Sequence, residues 1–246
     1  PERTSPHSLA RAGTLSAAYA YWLASASVPQ ATWLAYEMGS RFRSRLAAVA
    51  RAAVAEALSQ AGGPALADTL AALDRRLAYL LDRQQAALAA LQRLAAVECL
   101  VQELQTQAEQ DARHELSWAR DAAALHATTL GLAAIPEPAS RPLEPGEEEA
   151  ARLCPVRLVR GPLPFEQNRQ RLAPEEQEAW RERIQASGDW RYHTLSGLAL
   201  FWADGSRSLL DIADRVELEA NVRDVDLLLH YFRLLHRLGL VELRAR

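Results

Sequence analysis

Over residues 6–26, Leu9, Leu15, Tyr19, Trp22 and Leu23 gather roughly on one face of a helix. Pro6 suits a first helical turn, and Ser5 before it can cap. Val28-Pro29 breaks this helix and a second begins at Pro29, carrying Trp33, Leu34, Met38, Phe42, Leu46, Val49 and Leu58. Gly62-Gly63-Pro64 ends the second helix and opens the next. Residues 65–130 keep a helical pattern almost without interruption. Leu66, Leu70, Leu73, Leu77 and Leu80 alternate four- and three-residue steps, Gln84 misses, and Leu91 and Leu94 resume. This is a coiled-coil-like seam over about two heptads. One unbroken helix here would approach ~100 Å at ~1.5 Å per residue. A kink or break is therefore predicted, and the polar stretch 102–113 is the expected place.

The pattern changes after residue 134. Pro136, Pro138, Pro142 and Pro145, then Gly146 and Glu147-Glu148-Glu149, read as a linker. The expected organisation is a helical region at 1–135, a linker at 136–150 and a second domain at 151–246. In that domain Val156-Arg157-Leu158-Val159 alternates as a short strand, and Gly161-Pro162-Leu163-Pro164 forces an extended or turning backbone. Pro174-Glu175-Glu176 opens a short helix to about Ala186, ended by Ser187-Gly188-Asp189. Residues 195–202 form a helix and Asp204-Gly205 a tight turn. Ser208 caps a helix to about Glu219 whose inner face is Leu209, Ile212 and Val216. Asp224 caps a third helix with Leu227, Leu228, Tyr231, Phe232, Leu235 and Leu238 inward, and Gly239 ends it. Leu240-Val241-Glu242-Leu243 then alternates as a strand. Helix, helix, helix, strand is winged-helix order. The expected fold class is mostly α, with long helices in a hairpin or short coiled coil, plus a small winged-helix-like α+β domain.

Composition adjusts this picture in four ways. A hydrophobic content of 49%, mostly Ala and Leu with few Gly, supports a helical chain with a real core. All 28 basic residues are Arg, yet the formal net charge is −3, which argues against a strongly nucleic-acid-binding protein. Cys99 and Cys154 lie too far apart in sequence for a close-spaced zinc motif or a disulfide framework. Arg, Glu and Gln interrupt the Ala-rich runs, so no apolar stretch reaches the ~18 residues of a membrane span. A soluble, cytoplasmic protein without membrane contact is the expectation.

No catalytic, cofactor-binding or metal-binding residue is assigned from the sequence. His7, His114, His126, His193, His230 and His236 include no pair at the spacing of a zinc helix, and His230 and His236 fall on different helical faces. Carboxylate pairs such as Glu175-Glu176 and Glu217 with Glu219 read as solvated faces. There is no Gly-rich phosphate loop and no nucleophile elbow. The third helix of the winged module would be the nucleic-acid reader. It carries Asp224, Asp226, His230, Arg233, His236 and Arg237, so its leading half is acidic and would be repelled by phosphates. Packing or protein contact is the expected role of the module. Trp22, Trp33, Trp180, Trp190, Trp202 and Tyr192 are expected to pack cores.

The opening Pro1-Glu2-Arg3-Thr4-Ser5-Pro6 lacks an initiator Met and a targeting signal, and reads as the back end of a larger protein. It resembles the segment that follows the final zinc-binding His in di-zinc aminopeptidases of the twenty-eighth metallopeptidase family. Pro1 and Glu2 match the family's Pro-Glu, Arg3 stands for its Lys, and Leu9 takes the first buried position of the following helix. Thr4 and Ser5 depart from the usual apolar-Asp pair. The helix through Ala26 resembles the closing helix of such a domain, and Trp202-Ala203-Asp204-Gly205-Ser206-Arg207-Ser208-Leu209-Leu210-Asp211-Ile212 resembles the winged helix that some bacterial members carry. The resemblance implies an intact zinc exopeptidase in which two zinc ions share a bridging water and a Glu acts as general base. Those ligands would lie in an upstream domain and none maps onto this chain. The chain would then be a non-catalytic accessory region that contacts its own catalytic domain or a second subunit, and would meet peptide substrate only through that domain. The alternatives are a transcription-factor-like DNA-binding protein and a structural helical interaction protein.

Overall fold

The computed structural model describes residues 5–138, 141–159, 163, 165–187 and 189–246. The Pro1-Glu2-Arg3-Thr4 opening, the turn at Gly161, Pro162 and Pro164, and the Gly188 break lie outside the described residues. The chain divides into two compact units, Pro1–Ala139 and Ser140–Arg246.

In the first unit, α1 (Pro6–Ser25) is capped by Ser5, whose Oγ accepts the Ser8 N–H at 3.1 Å. Then come α2 (Val28–Ser59), α3 (Gly63–Ala90), a single 3-10 turn at Leu91–Arg93 and α4 (Glu98–Thr129). Each of α2, α3 and α4 packs against the other two, which makes a three-helix bundle. Its chemistry is asymmetric. α3 supplies leucines: Leu66, Leu73, Leu77, Leu80 and Leu88 are buried. α2 answers with Ala31, Ala35, Phe42, Leu46, Ala50, Val54 and Ala57, and α4 with Val101, Ala108, Ala112, Ala119, Ala123 and Ala127. Small residues at a contact let helix axes approach toward the short end of the ~8–10 Å range.

This seam corrects three sequence expectations. Trp33, expected to pack a core, is 62% exposed, and Leu58 on the same helix is 50% exposed, because the alanines hold the inner face of α2. The break expected in 102–113 lies instead at residues 91–97, and α4 runs through the polar stretch because Ala108 and Ala112 bury one stripe of it. The apolar face of α1 packs little: Leu9, Leu15 and Tyr19 are exposed, and Trp22 and Leu23 are half-buried.

The second unit comprises α5 (Pro145–Arg152), β1 (Leu153–Arg157), α6 (Phe165–Arg169), α7 (Pro174–Ser187), α8 (Asp189–Trp202), α9 (Leu209–Ala220), α10 (Val225–Arg237) and β2 (Val241–Ala245). The acidic run read as linker is helical. Pro145 at the start and Glu147 and Glu148 in the first turn suit a helix N-terminus. The strand expected at 156–159 begins earlier, at Leu153, because its register is set by β2. The two strands pair antiparallel from Leu153↔Ala245 to Arg157↔Val241. The other edge of β1 bridges Asp204 through Val156. The middle strand position of this winged-helix arrangement is thus filled from a segment that precedes the helices in sequence.

The caps match their sequence signals. Ser208 Oγ accepts the Asp211 N–H at 3.1 Å, and Asp211 accepts the Ser208 N–H at 3.0 Å. Asp224 accepts the Leu227 N–H at 2.8 Å. Between these helices lies one core that includes Trp180, Leu195, Ile212, Val216, Leu228, Phe232 and Leu235.

Gly205 joins the turn to the sheet. Its φ is +84°, its N–H donates to the Pro155 carbonyl at 3.0 Å, and a Cβ there would lie 2.8 Å from Val156 Cγ2. Gly205→Ala should cost about 1–3 kcal/mol, from left-handed strain plus the clash. Gly13→Ala is the control. Gly13 lies inside α1 with open space around it, so alanine there should be neutral or stabilising by up to ~1 kcal/mol. Denaturant unfolding of both variants checks this, and equal losses at the two sites would contradict the account.

Candidate functional site

The residues with interaction chemistry in the second unit converge on α10, the helix a nucleic-acid reader would present. Eight of its 13 residues are buried: Val225, Leu227, Leu228, Leu229, Tyr231, Phe232, Leu234 and Leu235. The six inward residues predicted from the sequence, including Leu238, are all among the buried ones. Asp226, Arg233, His236 and Arg237 are exposed, and His230 is half-buried. Arg233 is paired with Glu149 of α5, and Arg237 with Glu176 of α7. Asp224 is the N-cap, and the Asp226 carboxylate lies so close to Gly146 of α5 that a Cβ there would sit 2.6 Å from Oδ1. His236 Nδ1 lies 3.1 Å from the Val241 carbonyl oxygen. The two cations a phosphate would need are therefore held by carboxylates of neighbouring helices.

Beside the start of α10 is a charged cluster that the sequence reading did not single out. Glu147 is 4% exposed although it belongs to the acidic run. Arg141 donates to it twice, from Nη1 to Oε2 at 2.7 Å and from Nη2 to Oε1 at 2.6 Å. The Glu144 N–H donates to Oε2 at 3.1 Å and Arg223 Nη1 to Oε1 at 2.5 Å. Arg223 also contacts Asp214 at 3.0 Å and Glu217 at 3.4 Å. The bonds from Arg141, then from the Glu144 N–H and from Arg223, hold the Glu147 carboxyl down to about 2. Such a group neither takes nor gives a proton near neutral pH, so it is a tie and not an acid–base catalyst. Its local signal was Pro145 at the first helical position with Glu two residues on; its partner Arg223 is 76 positions away. Arg141, Glu144, Gly146, Glu147, Arg223 and Asp226 line an open depression here.

A third cluster is aromatic. Trp180 of α7 is fully buried and stacks on His230, with ring centroids 5.6 Å apart and 17° between planes. His230 Nε2 is buried and has no hydrogen-bond partner among the described residues. Burial, then the charges of Arg183 and Arg233, push His230 below its ordinary value.

The remaining singled-out residues do not converge. His7 and His114 are exposed, and His126 Nε2 lies 3.0 Å from the Gln60 carbonyl oxygen. The side chains of Trp190, Tyr192 and His193 lie outside the described residues. Glu176 pairs with Arg237 and Glu217 with Arg223. The guanidinium groups of Arg207 and Arg215 lie over the Trp202 ring, 5.1 and 4.6 Å from its centre. Cys99 is exposed, Cys154 is buried, and both are free thiols. Among the described residues no group of three or more His, Cys, Asp or Glu side chains could hold a metal ion. No helix of the described residues is long and apolar enough to cross a membrane. Comparison with protein-family models, with curated proteins and with solved structures returns no match.

Proposed function

We propose that this chain is a non-catalytic accessory region that acts through protein contact, as the C-terminal part of a cytoplasmic zinc-dependent exopeptidase of the aminopeptidase type. On this reading zinc and peptide substrate belong to an upstream catalytic domain, and the partner is that domain or a second subunit. The observation that carries the contact reading is the state of α10. Its apolar residues are spent on its own core, and Arg233 and Arg237 are neutralised by Glu149 and Glu176. A duplex would have to displace both carboxylates before gaining either phosphate contact. The exopeptidase assignment rests on the resemblance of residues 1–26 and of the winged-helix segment.

Two measurements test the reading. Coding sequence continuous with Pro1 that carries a di-zinc His, Asp and Glu ligand set would support the exopeptidase assignment, and a start codon near Pro1 would end it. Fluorescence anisotropy with mixed duplexes tests the contact reading. The expected result is no sub-micromolar binding at physiological salt and no sequence preference. Specific binding proteins reach ~10⁻⁸–10⁻¹¹ M there. Each phosphate neutralised would add about −0.9 to the log–log salt slope. Sub-micromolar, salt-steep binding that is lost in the Arg233→Ala, Arg237→Ala double variant would favour the transcription-factor alternative.

A further inference from the structure

α7 packs against α8, and it meets α10 through rings and the Glu176–Arg237 pair. Trp180 meets His230 and Tyr231 in near-parallel stacks, with centroids at 5.6 and 5.9 Å, and Phe165 edge-on at 5.3 Å. One member of this seat is titratable. His230 Nε2 is buried and has no hydrogen-bond partner among the described residues, whose charges acting on the ring are cationic: Arg183 from α7 and Arg233 from α10 itself. Glu175, Glu178 and Glu182 of α7 are exposed at the surface, and several other carboxylates on the surrounding elements are engaged elsewhere. Glu176 of α7 pairs with Arg237, Glu149 of α5 with Arg233, and Asp214 and Glu217 of α9 with Arg223. Asp226, one turn earlier on α10, is directed at Gly146. Glu242 of β2 pairs with Arg244, and α8 carries no titratable side chain over residues 194–202.

We propose that α7 is a proton-released cover on α10: a proton bound at His230 unseats Trp180 and undocks α7 while the rest of the unit stays folded. Protonation makes both ring nitrogens donors and adds a third cation beside Arg183 and Arg233, at an Nε2 with no hydrogen-bond partner among the described residues. The indole face of Trp180 attracts a cation and works in the opposite direction. The imidazole is offset on that face, and burial and both arginines oppose the charge. Undocking separates Arg237 from Glu176 and uncovers Tyr231 and Phe165, which offers a protein partner an aromatic surface that the closed unit hides. The sign follows from linkage. In the open state the imidazole returns to about 6.5, and in the closed state it lies lower. Closure is complete above about pH 6.5 and weakens as pH falls toward the closed-state value. Each unit of separation raises the opening constant about tenfold.

The test uses the whole chain. Amide hydrogen exchange of α7 and α9, corrected for intrinsic rates, is compared at about pH 7.5 and about pH 5, on either side of the ordinary imidazole range. His230 is also followed by its ring resonances. The expected result is a severalfold loss of protection confined to α7 at the lower pH. His230→Phe should keep α7 protected and remove its pH dependence. The proposal is overturned if α7 and α9 lose protection together, if His230→Phe retains the acid response, or if the ring titrates at or above about 6.5. The ring titration needs no variant, so it decides the matter even if His230→Phe fails to fold.

Discussion

Glu147→Ala is expected to lower the stability of the Ser140–Arg246 unit by about 2–3 kcal/mol, at or just below the low end of the ~3–5 kcal/mol range for breaking a buried ion pair. The carboxylate is 4% exposed and accepts four donors, so its removal strips the bidentate Arg141 contact and one tie of Arg223. Arg141 is 55% exposed at its side chain and can turn to water, and Arg223 keeps Asp214 and Glu217. Both facts hold the cost below the upper end of that range. Native-state hydrogen exchange of α10 in the full chain reads it, as a protection loss of roughly 30- to 150-fold at ~1.4 kcal/mol per tenfold. The pH dependence has a definite sign. A carboxyl lowered from 4.5 to about 2 in the folded state contributes stability that is fully present above about pH 4.5 and is lost as pH falls through about 2. The gap between wild type and Glu147→Ala should therefore be flat from about pH 7 to about pH 5 and close below that. A gap that stays constant down to pH ~2 would show that Glu147 acts through packing alone.

The difference between α10 and Glu147 shows what a sequence carries. α10 repeats large apolar residues at helical spacing, and each one predicted inward is buried; Leu209, Ile212 and Val216 of α9 behave likewise. Periodicity of large side chains is a local signal. Glu147 sits in an acidic run that reads as part of a linker. Its burial depends on Arg223, which no local pattern connects to it. The position of β1 is hidden for the same reason, since β2 and the Asp204 bridge specify its register from afar. The α2 and α4 seams fail differently. Alanine transfers little free energy on burial and is also the best helix former, so it is equally at home on either face. With Ala108 and Ala112 discounted, residues 102–113 looked polar all round, and a break was expected where the bundle is in fact continuous. The winged-helix order was legible, but the carboxylates that neutralise Arg233 and Arg237 come from α5 and α7, outside the pattern that defines it.

Gln84→Leu is expected to stabilise the Pro1–Ala139 unit by about 2 kcal/mol. Gln84 interrupts the leucine steps of α3, between Leu80 and Leu88, and it is buried along with them. Its Nε2 has no acceptor among the described residues. An amide donor left without a partner costs about 1–3 kcal/mol. Leucine removes that cost and continues the apolar seam against the alanine faces, while its similar length limits overpacking. The gain should appear as a thermal midpoint raised by roughly 5–10 °C for the bundle transition, given the usual entropy of unfolding at this size. Gln84→Ala separates the two contributions. It also removes the orphan amide but leaves a void, so it should fall well short of leucine. If Gln84→Leu instead lowers the midpoint, the amide has a partner in solution, such as a bound water, and the residue belongs to a satisfied polar layer. A gain fixes Gln84 as a stability cost built into the core, of the kind a single polar residue imposes when it restricts helices to one register.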